Sequence, residues 1–275
     1  MEQVDLKKQF EEHGWVLVKN IFSEAEIEQM REKVYASKKS GHKGDLLSSP
    51  YLHTIVYDDR ILNIVRKLIG DDIIYFGDST YLVDNKQWGF HKDNPDRIDP
   101  KGPDWTGEKY DAIRVGIYLQ DHINSPGGLL LRDKSHNLFP ITAGKAFNVP
   151  VEKGDVAIWY LKTTHSGNAK LFRFFPGLII NPKYYQFVPE FMFIPAKTER
   201  IGVFLTYGKK TAPTQRFIDY LKTRQYGVTN WQNSNYDPKD ITEAEKHGLK
   251  IIDMRAEVKD VEIEKLNLFH ADIPY

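Results

Sequence analysis

From Ile73 onward the chain changes its period. Before Gly70 the apolar residues recur at helical spacing. After it come Ile73 to Phe76, Thr80 to Val83, Ile113 to Leu119, Leu129 to Leu131, Phe147 to Val149, Ala157 to Tyr160, Leu171 to Ile180 and Phe191 to Ile194, all short runs rich in β-branched and aromatic residues. Turn-forming segments, Asn124 to Gly128 and Glu152 to Asp155, lie between them. Short apolar runs at turn-spaced intervals bury themselves by stacking or curling sheets, so this stretch predicts a sandwich or barrel.

The flanks read as helical support. Leu6 to Gly14 has helical spacing and leads into a short β-type run, Trp15 to Val18. Ser23 with Glu26 three residues on forms a capping box before Ile27, Met30 and Val34. Residues 39 to 50 read as a loop, and Arg60 to Leu68 as an amphipathic helix ended by Gly70. Beyond Pro195, Arg200 to Tyr207 is strand-like, Thr214 to Arg224 is helical, and a further helix is expected at 242 to 248. No internal repeat or long linker divides the chain. One domain is expected over 1–275, with helical support at 1–72, a β core at 73–194 and a strand-and-helix extension at 195–275.

Lys+Arg and Asp+Glu are both 38, so the formal charge is zero. Proteins that live on phosphate backbones or anionic membranes normally carry a basic excess, which argues against both as main partners. There is no cysteine, so any metal must be held by histidine, carboxylate or carbonyl oxygen. The N-terminus lacks an apolar export segment and no apolar run reaches spanning length, giving the expectation of a soluble cytoplasmic protein. Self-association is left open.

Of nine histidines, His91 and His165 stand in a pattern that suggests chemistry. His91-Lys92-Asp93 places an imidazole and a carboxylate two apart at the end of a β-type run, on one face. His165 lies 72 residues beyond Asp93, just after the run opened by Gly154-Asp155. Two imidazoles and one carboxylate can cap one face of an octahedral ferrous ion and leave the opposite face open. Arg173, at an even spacing from His165 and followed by apolar residues, is expected to turn into a cavity and meet an anion. Arg114, also on a β-type run, is the second candidate for that role. The insert from Asn94 to Tyr110, with Asp96, Arg97, Asp104 and Trp105, is expected to be a polar lid over the site. Trp88, Phe90, Tyr118 and Trp159 are candidates for the cavity wall, or plain core.

The ordered set of motifs resembles the phytanoyl-CoA dioxygenase family of iron- and 2-oxoglutarate-dependent oxygenases. The opening from Phe10 to Ser23, His91-Lys92-Asp93, Leu119-Gln120-Asp121, Gly127-Gly128-Leu129, Ser135-His136 and the stretch from Gly154 through His165, Ser166 and Asn168 all take part, over roughly residues 5 to 182. The interval of eight from His165 to Arg173 is shorter than in that family. The resemblance implies a double-stranded β-helix (jelly-roll, cupin-like) core. It implies His91, Asp93 and His165 as ligands of Fe(II), and Arg173 with Ser166, Asn168, Arg114 and Tyr118 as contacts to 2-oxoglutarate. It also implies O2-dependent decarboxylation of 2-oxoglutarate coupled to hydrogen abstraction from a small-molecule substrate. Asp93, where related halogenases carry a small residue, favours hydroxylation. The polar insert suggests a small polar substrate, a sugar-containing one among them. Ser166 and Asn168 serve equally well as turn formers, and His136 as a turn cap. A cupin-like metal epimerase and a non-catalytic binding protein on the same fold are the competing readings.

Overall fold

A computed structural model of the chain describes residues 5–83, 89–107 and 109–266. The N-terminal support is α1 (Leu6–His13), β1 (Trp15–Val18), α2 (Glu24–Ser40) and α3 (Asp59–Ile69). Their ends follow from local chemistry. Ser23 Oγ accepts from Glu26 N while the Glu26 carboxylate accepts from Ser23 N, the predicted capping box. Gly14 and Gly41 close α1 and α2 in the left-handed region.

The predicted strands are β2 (Ile73–Tyr75), β3 (Ser79–Val83), β4 (Ile113–Tyr118), β5 (Leu130–Arg132), β6 (Ala146–Asn148) and β7 (Val156–Tyr160). Between β3 and β4 the insert forms a 3-10 turn and the short α4 (Pro103–Thr106). After β7 come β8 (His165–Ser166), β9 (Ile201–Lys209), α5 (Ala212–Leu221), α6 (Gln225–Asn233), α7 (Pro238–Lys246), β10 (Lys250–Ile251) and α8 (Arg255–Val258). A seven-stranded sheet runs β1-β7-β4-β9-β2-β10, with β3 also paired to β9, and a three-stranded sheet runs β6-β5-β8.

Two expectations fail here. Leu171 to Ile180 is not a strand, and Phe191 to Ile194 begins as a 3-10 turn; only an isolated bridge joins Phe172 to Phe193. The chain instead wraps around a small cluster of Phe172, Tyr185 and Phe193. Pro176 removes a donor in the middle of that apolar run, which argues against a ladder there. The second concerns the strand assigned to a C-terminal extension. β9 lies inside the large sheet, antiparallel to β4, β3 and β2.

The period of two splits the large sheet into unlike faces. Ile113, Val115, Ile117, Val156, Ile158, Val203 and Leu205 join the main core with Phe10, Ile27, Leu62, Leu68 and Phe217 from the helices. The alternate residues Tyr118, Ala157, Trp159 and Phe204 join Leu129, Leu131 and Val149 in a second cluster facing the small sheet. Gly116 and Gly202 make room on that face: a Cβ on either would stand 2.9 Å from the Trp159 ring or 2.8 Å from the Phe204 ring.

Candidate metal centre

The space between the two sheets holds the histidines. The strand-end segment at His91 and the start of β8 form a two-way backbone bridge, His91 N to His165 O and His165 N to His91 O, both 2.9 Å. Asp93 N donates to Leu161 O at 2.8 Å, which fixes the third residue against the same strand turn. One ligand atom from each of His91, Asp93 and His165 then lies within 4.8 Å of the others. His91 Nε2 is 3.7 Å from Asp93 Oδ1, and His165 Nε2 is 3.5 Å from Asp93 Oδ2.

The tautomers follow from the backbone. His91 Nδ1 donates to Gly89 O at 2.8 Å and His165 Nδ1 to Thr163 O at 3.0 Å. A carbonyl can only accept, so both protons sit on Nδ1 and both Nε2 lone pairs turn toward the carboxylate. Metal-bound histidines are typically oriented by such a donation from the second ring nitrogen. Burial pushes the His165 imidazole down to about 3, against the opposing pull of Asp93, so it is neutral at pH 7. Neutral imidazole is the ligating form. The donor set therefore suits a divalent cation.

Arg114 reaches the same carboxylate. Its Nη2 lies 3.4 Å from Asp93 Oδ2 and its Nη1 3.2 Å from Asp78 Oδ2, which in turn accepts from Thr206 Oγ1 at 2.7 Å. Arg114 and Thr206 are register partners on β4 and β9, so the sheet itself sets this chain of contacts. Asp78 and Asp93 keep the buried guanidinium charged against the cost of burial.

The three residues and their neighbours enclose a cavity of about 310 Å³, lined by His91, Asp93, His165, Arg114, Tyr118, Leu129, Trp159, Gly167, Arg200, Phe204, Tyr226 and Asn230, with Asp78 to Thr80 and Leu82 on the β3 side. Tyr118 is where the sequence places it, its hydroxyl pushed up to about 12 by burial. Ser166 and Asn168 flank the lining residue Gly167 without lining the cavity themselves; Asn168 adopts a left-handed turn conformation. Phe90 is core, Trp88 lies outside the described residues, and His136 lies away from the cavity.

Arg173 does not meet its expectation. It is exposed, its Nη2 lies 3.4 Å from Phe193 O, and it is absent from the cavity wall. The insert expected as a lid also fails: none of residues 94 to 107 lines the cavity, and Trp105 packs over lysines elsewhere.

The arginine that does line the cavity is Arg200, 4% exposed, immediately before β9. Its Nε donates to Gly127 O at 2.6 Å and its guanidinium lies 5.7 Å from the Tyr118 ring. Gly127, with φ +97°, permits this approach; a Cβ there would meet the His122 ring at 3.0 Å. His122 Nδ1 donates to Pro126 O, its Nε2 accepts from Gln120 Nε2, and Gln120 Oε1 accepts from Ile201 N at 2.7 Å. The Leu119-Gln120-Asp121 and Gly127-Gly128 motifs thus brace Arg200. The strand-like run at 200 to 207 was the available signal, missed because the core was closed at 194.

No family model matches the sequence, and no curated protein does. Solved structures do. A non-haem monooxygenase, ThoJ, in complex with nickel is similar over 76% of this chain and 79% of its own, at 19% identity and TM-score 0.54. HygX from Streptomyces hygroscopicus, with nickel and 2-oxoglutarate bound, is similar over 76% of this chain and 88% of its own, at 15% identity and TM-score 0.55. The fold is a double-stranded β-helix. SnoN, a non-haem α-ketoglutarate-dependent epimerase from nogalamycin biosynthesis, is similar over 75% of this chain and 82% of its own, at 15% identity and TM-score 0.53.

Proposed function

We propose that this chain is an Fe(II)- and 2-oxoglutarate-dependent dioxygenase of the phytanoyl-CoA dioxygenase family, hydroxylating a small polar metabolite in the cytoplasm. The observation that carries the reading is the pairing of a His91–Asp93–His165 cluster with a buried arginine, Arg200, on the wall of the same cavity. Two imidazoles and one carboxylate with open positions are the ligand set of non-haem ferrous oxygenases. His91 Nε2, the Asp93 carboxylate and His165 Nε2 would hold the iron. Arg200, with Tyr118 beside it, would hold the far carboxylate of 2-oxoglutarate in place of Arg173. When bound, iron would activate O2, with 2-oxoglutarate giving it two electrons and leaving as succinate and carbon dioxide.

The remaining residues position and exclude. Arg114, held by Asp78, fixes the rotation of the Asp93 carboxylate. Trp159, Leu129 and Phe204 keep water from one wall, and Ser166 and Asn168 shape the turn after His165. Thr80, Tyr226 and Asn230 give the opposite wall polar groups suited to a hydroxylated substrate, such as a sugar-containing one. A buried arginine in the cavity favours a carboxylate cosubstrate over a cupin-like epimerase that works without one.

Ferrous protein with 2-oxoglutarate under anaerobic conditions is expected to show a weak visible absorption band, lost in Asp93→Ala with the fold retained. A wild-type protein without the band overturns the reading. Succinate release screened against a metabolite panel identifies the substrate. Because SnoN shows that epimerisation also occurs on this fold, the product's oxygen content after turnover under labelled O2 separates hydroxylation from inversion.

A further inference from the structure

The segment that carries His91 and Asp93 has a second side. Lys92, between them, is fully buried, and its Nζ donates to Ser135 O at 2.7 Å and Lys162 O at 2.6 Å. Lys162 is 6% exposed and its Nζ donates to Asp104 O at 3.1 Å. The two ammonium groups lie 5.2 and 5.7 Å from the same Trp105 ring. Neither forms an ion pair with a carboxylate among the described residues. The nearby acids are committed elsewhere: Asp104 accepts from Arg216 at 2.9 Å and from Asn94 at 3.0 Å, and Glu11 pairs with Lys109 at 2.7 Å.

A buried amine whose nearest carboxylate, Asp104, is already bonded to Arg216 and Asn94 is costly, and an anion beside it relieves that cost. Beside Lys162 is room for the anion. Lys162, Lys109, Trp105, Tyr110 and His136 help line a cavity of about 360 Å³, with the paired carboxylates of Asp104 and Glu11 also on its wall, and it shares no lining residue with the metal cavity. Tyr110 is 4% exposed, and its hydroxyl is buried with no hydrogen-bond partner, a donor waiting for an acceptor. Burial lowers the Lys162 amine, against the opposing pull of Asp104.

We infer that this second cavity binds a small oxyanion, phosphate or carboxylate, held by Lys162 Nζ and Tyr110 Oη. The cavity is larger than a bare phosphate ion, so the oxyanion can be free or the charged end of a small metabolite.

Trp105 reports on the site directly. The full-length, metal-free protein is titrated with inorganic phosphate, succinate and glucose 6-phosphate at constant ionic strength, following indole fluorescence and Tm. A saturable response and a raised Tm are expected. Lys162→Met weakens binding roughly tenfold or more, and Tyr110→Phe severalfold, with circular dichroism unchanged. Asp93→Ala binds as wild type, which separates this site from the metal cavity. Tighter binding of glucose 6-phosphate than of phosphate assigns the charged end of a metabolite; the reverse assigns the free ion, and preference for succinate assigns a carboxylate. Should Lys162→Met fail to fold, Tyr110→Phe decides alone. No saturable response to any of the three anions, or wild-type affinity in the variants, overturns the inference.

Discussion

The two faces of β4, β7 and β9 are built from alternate residues of the same strands and have opposite characters. One presents Ile113, Val115, Ile117, Val156, Ile158, Val203 and Leu205 to the main hydrophobic core. The other presents Arg114, Tyr118, Trp159, Phe204 and Thr206, and on it Arg114 and Thr206 both meet the Asp78 carboxylate. The first face packs the core and the second lines the cavity of the proposed site, one residue apart along the chain. Substitutions on the two faces should therefore fail in different assays.

The largest effect is expected on the core face. Ile158→Ala removes a fully buried side chain opposite both Val16 and Val115 and should cost about 3–4 kcal/mol in chemical denaturation. The folded fraction should still bind 2-oxoglutarate normally; a binding defect in that fraction would blur the two faces. On the other face Arg200→Ala should weaken 2-oxoglutarate binding about 30-fold, roughly 2 kcal/mol for a lost charge-assisted contact, read as a raised KM or by calorimetry. Arg200→Lys should recover only part of it, because a point charge replaces a planar fork.

A smaller effect tests how the buried histidines off the core face are held. Burial pushes His122 and His136 down to about 4. Their folded values lie below the unfolded value near 6.5, so the unfolded chain binds more protons between those limits. Stability is then full above about pH 6.5 and falls as the pH drops toward 4, by about 1 kcal/mol per histidine between pH 7 and 5.5. His122→Gln should flatten part of that slope in Tm against pH. An unchanged slope would mean that His122 is solvated and does not brace Arg200.

The approach of His91, Asp93 and His165 to one another was legible in the sequence because its constraints are local. A spacing of two puts His91 and Asp93 on one side of an extended segment, and β7 leads directly into the turn that presents His165. Strand positions were legible for the same reason, through alternation and turns. What failed depended on partners distant in sequence. Trp105 reads as a lid residue until it is seen packed over Lys92 and Lys162, and β9 reads as an extension until its pairing with β4 and β3 is known. Helix α6, which brings Tyr226 and Asn230 to the cavity wall, has too weak an apolar period to stand out.

Arg173 gives the smallest expected effect and tests that lesson most sharply. Its even spacing from His165 implies a shared face only if a strand continues between them, and β8 ends at Ser166. From there the chain leaves the sheet, and Arg173 emerges beside the exposed Phe174 and Phe175 rather than in the cavity. Its side-chain hydrogen bond to Phe193 O, at 3.4 Å, is long and solvent-screened. Arg173→Ala should therefore change stability by less than about 0.5 kcal/mol and leave the KM for 2-oxoglutarate unaltered. A KM raised as far as in Arg200→Ala would mean that the segment from 167 to 199 folds over the cavity during turnover, and the assignment of the cosubstrate arginine would revert to Arg173.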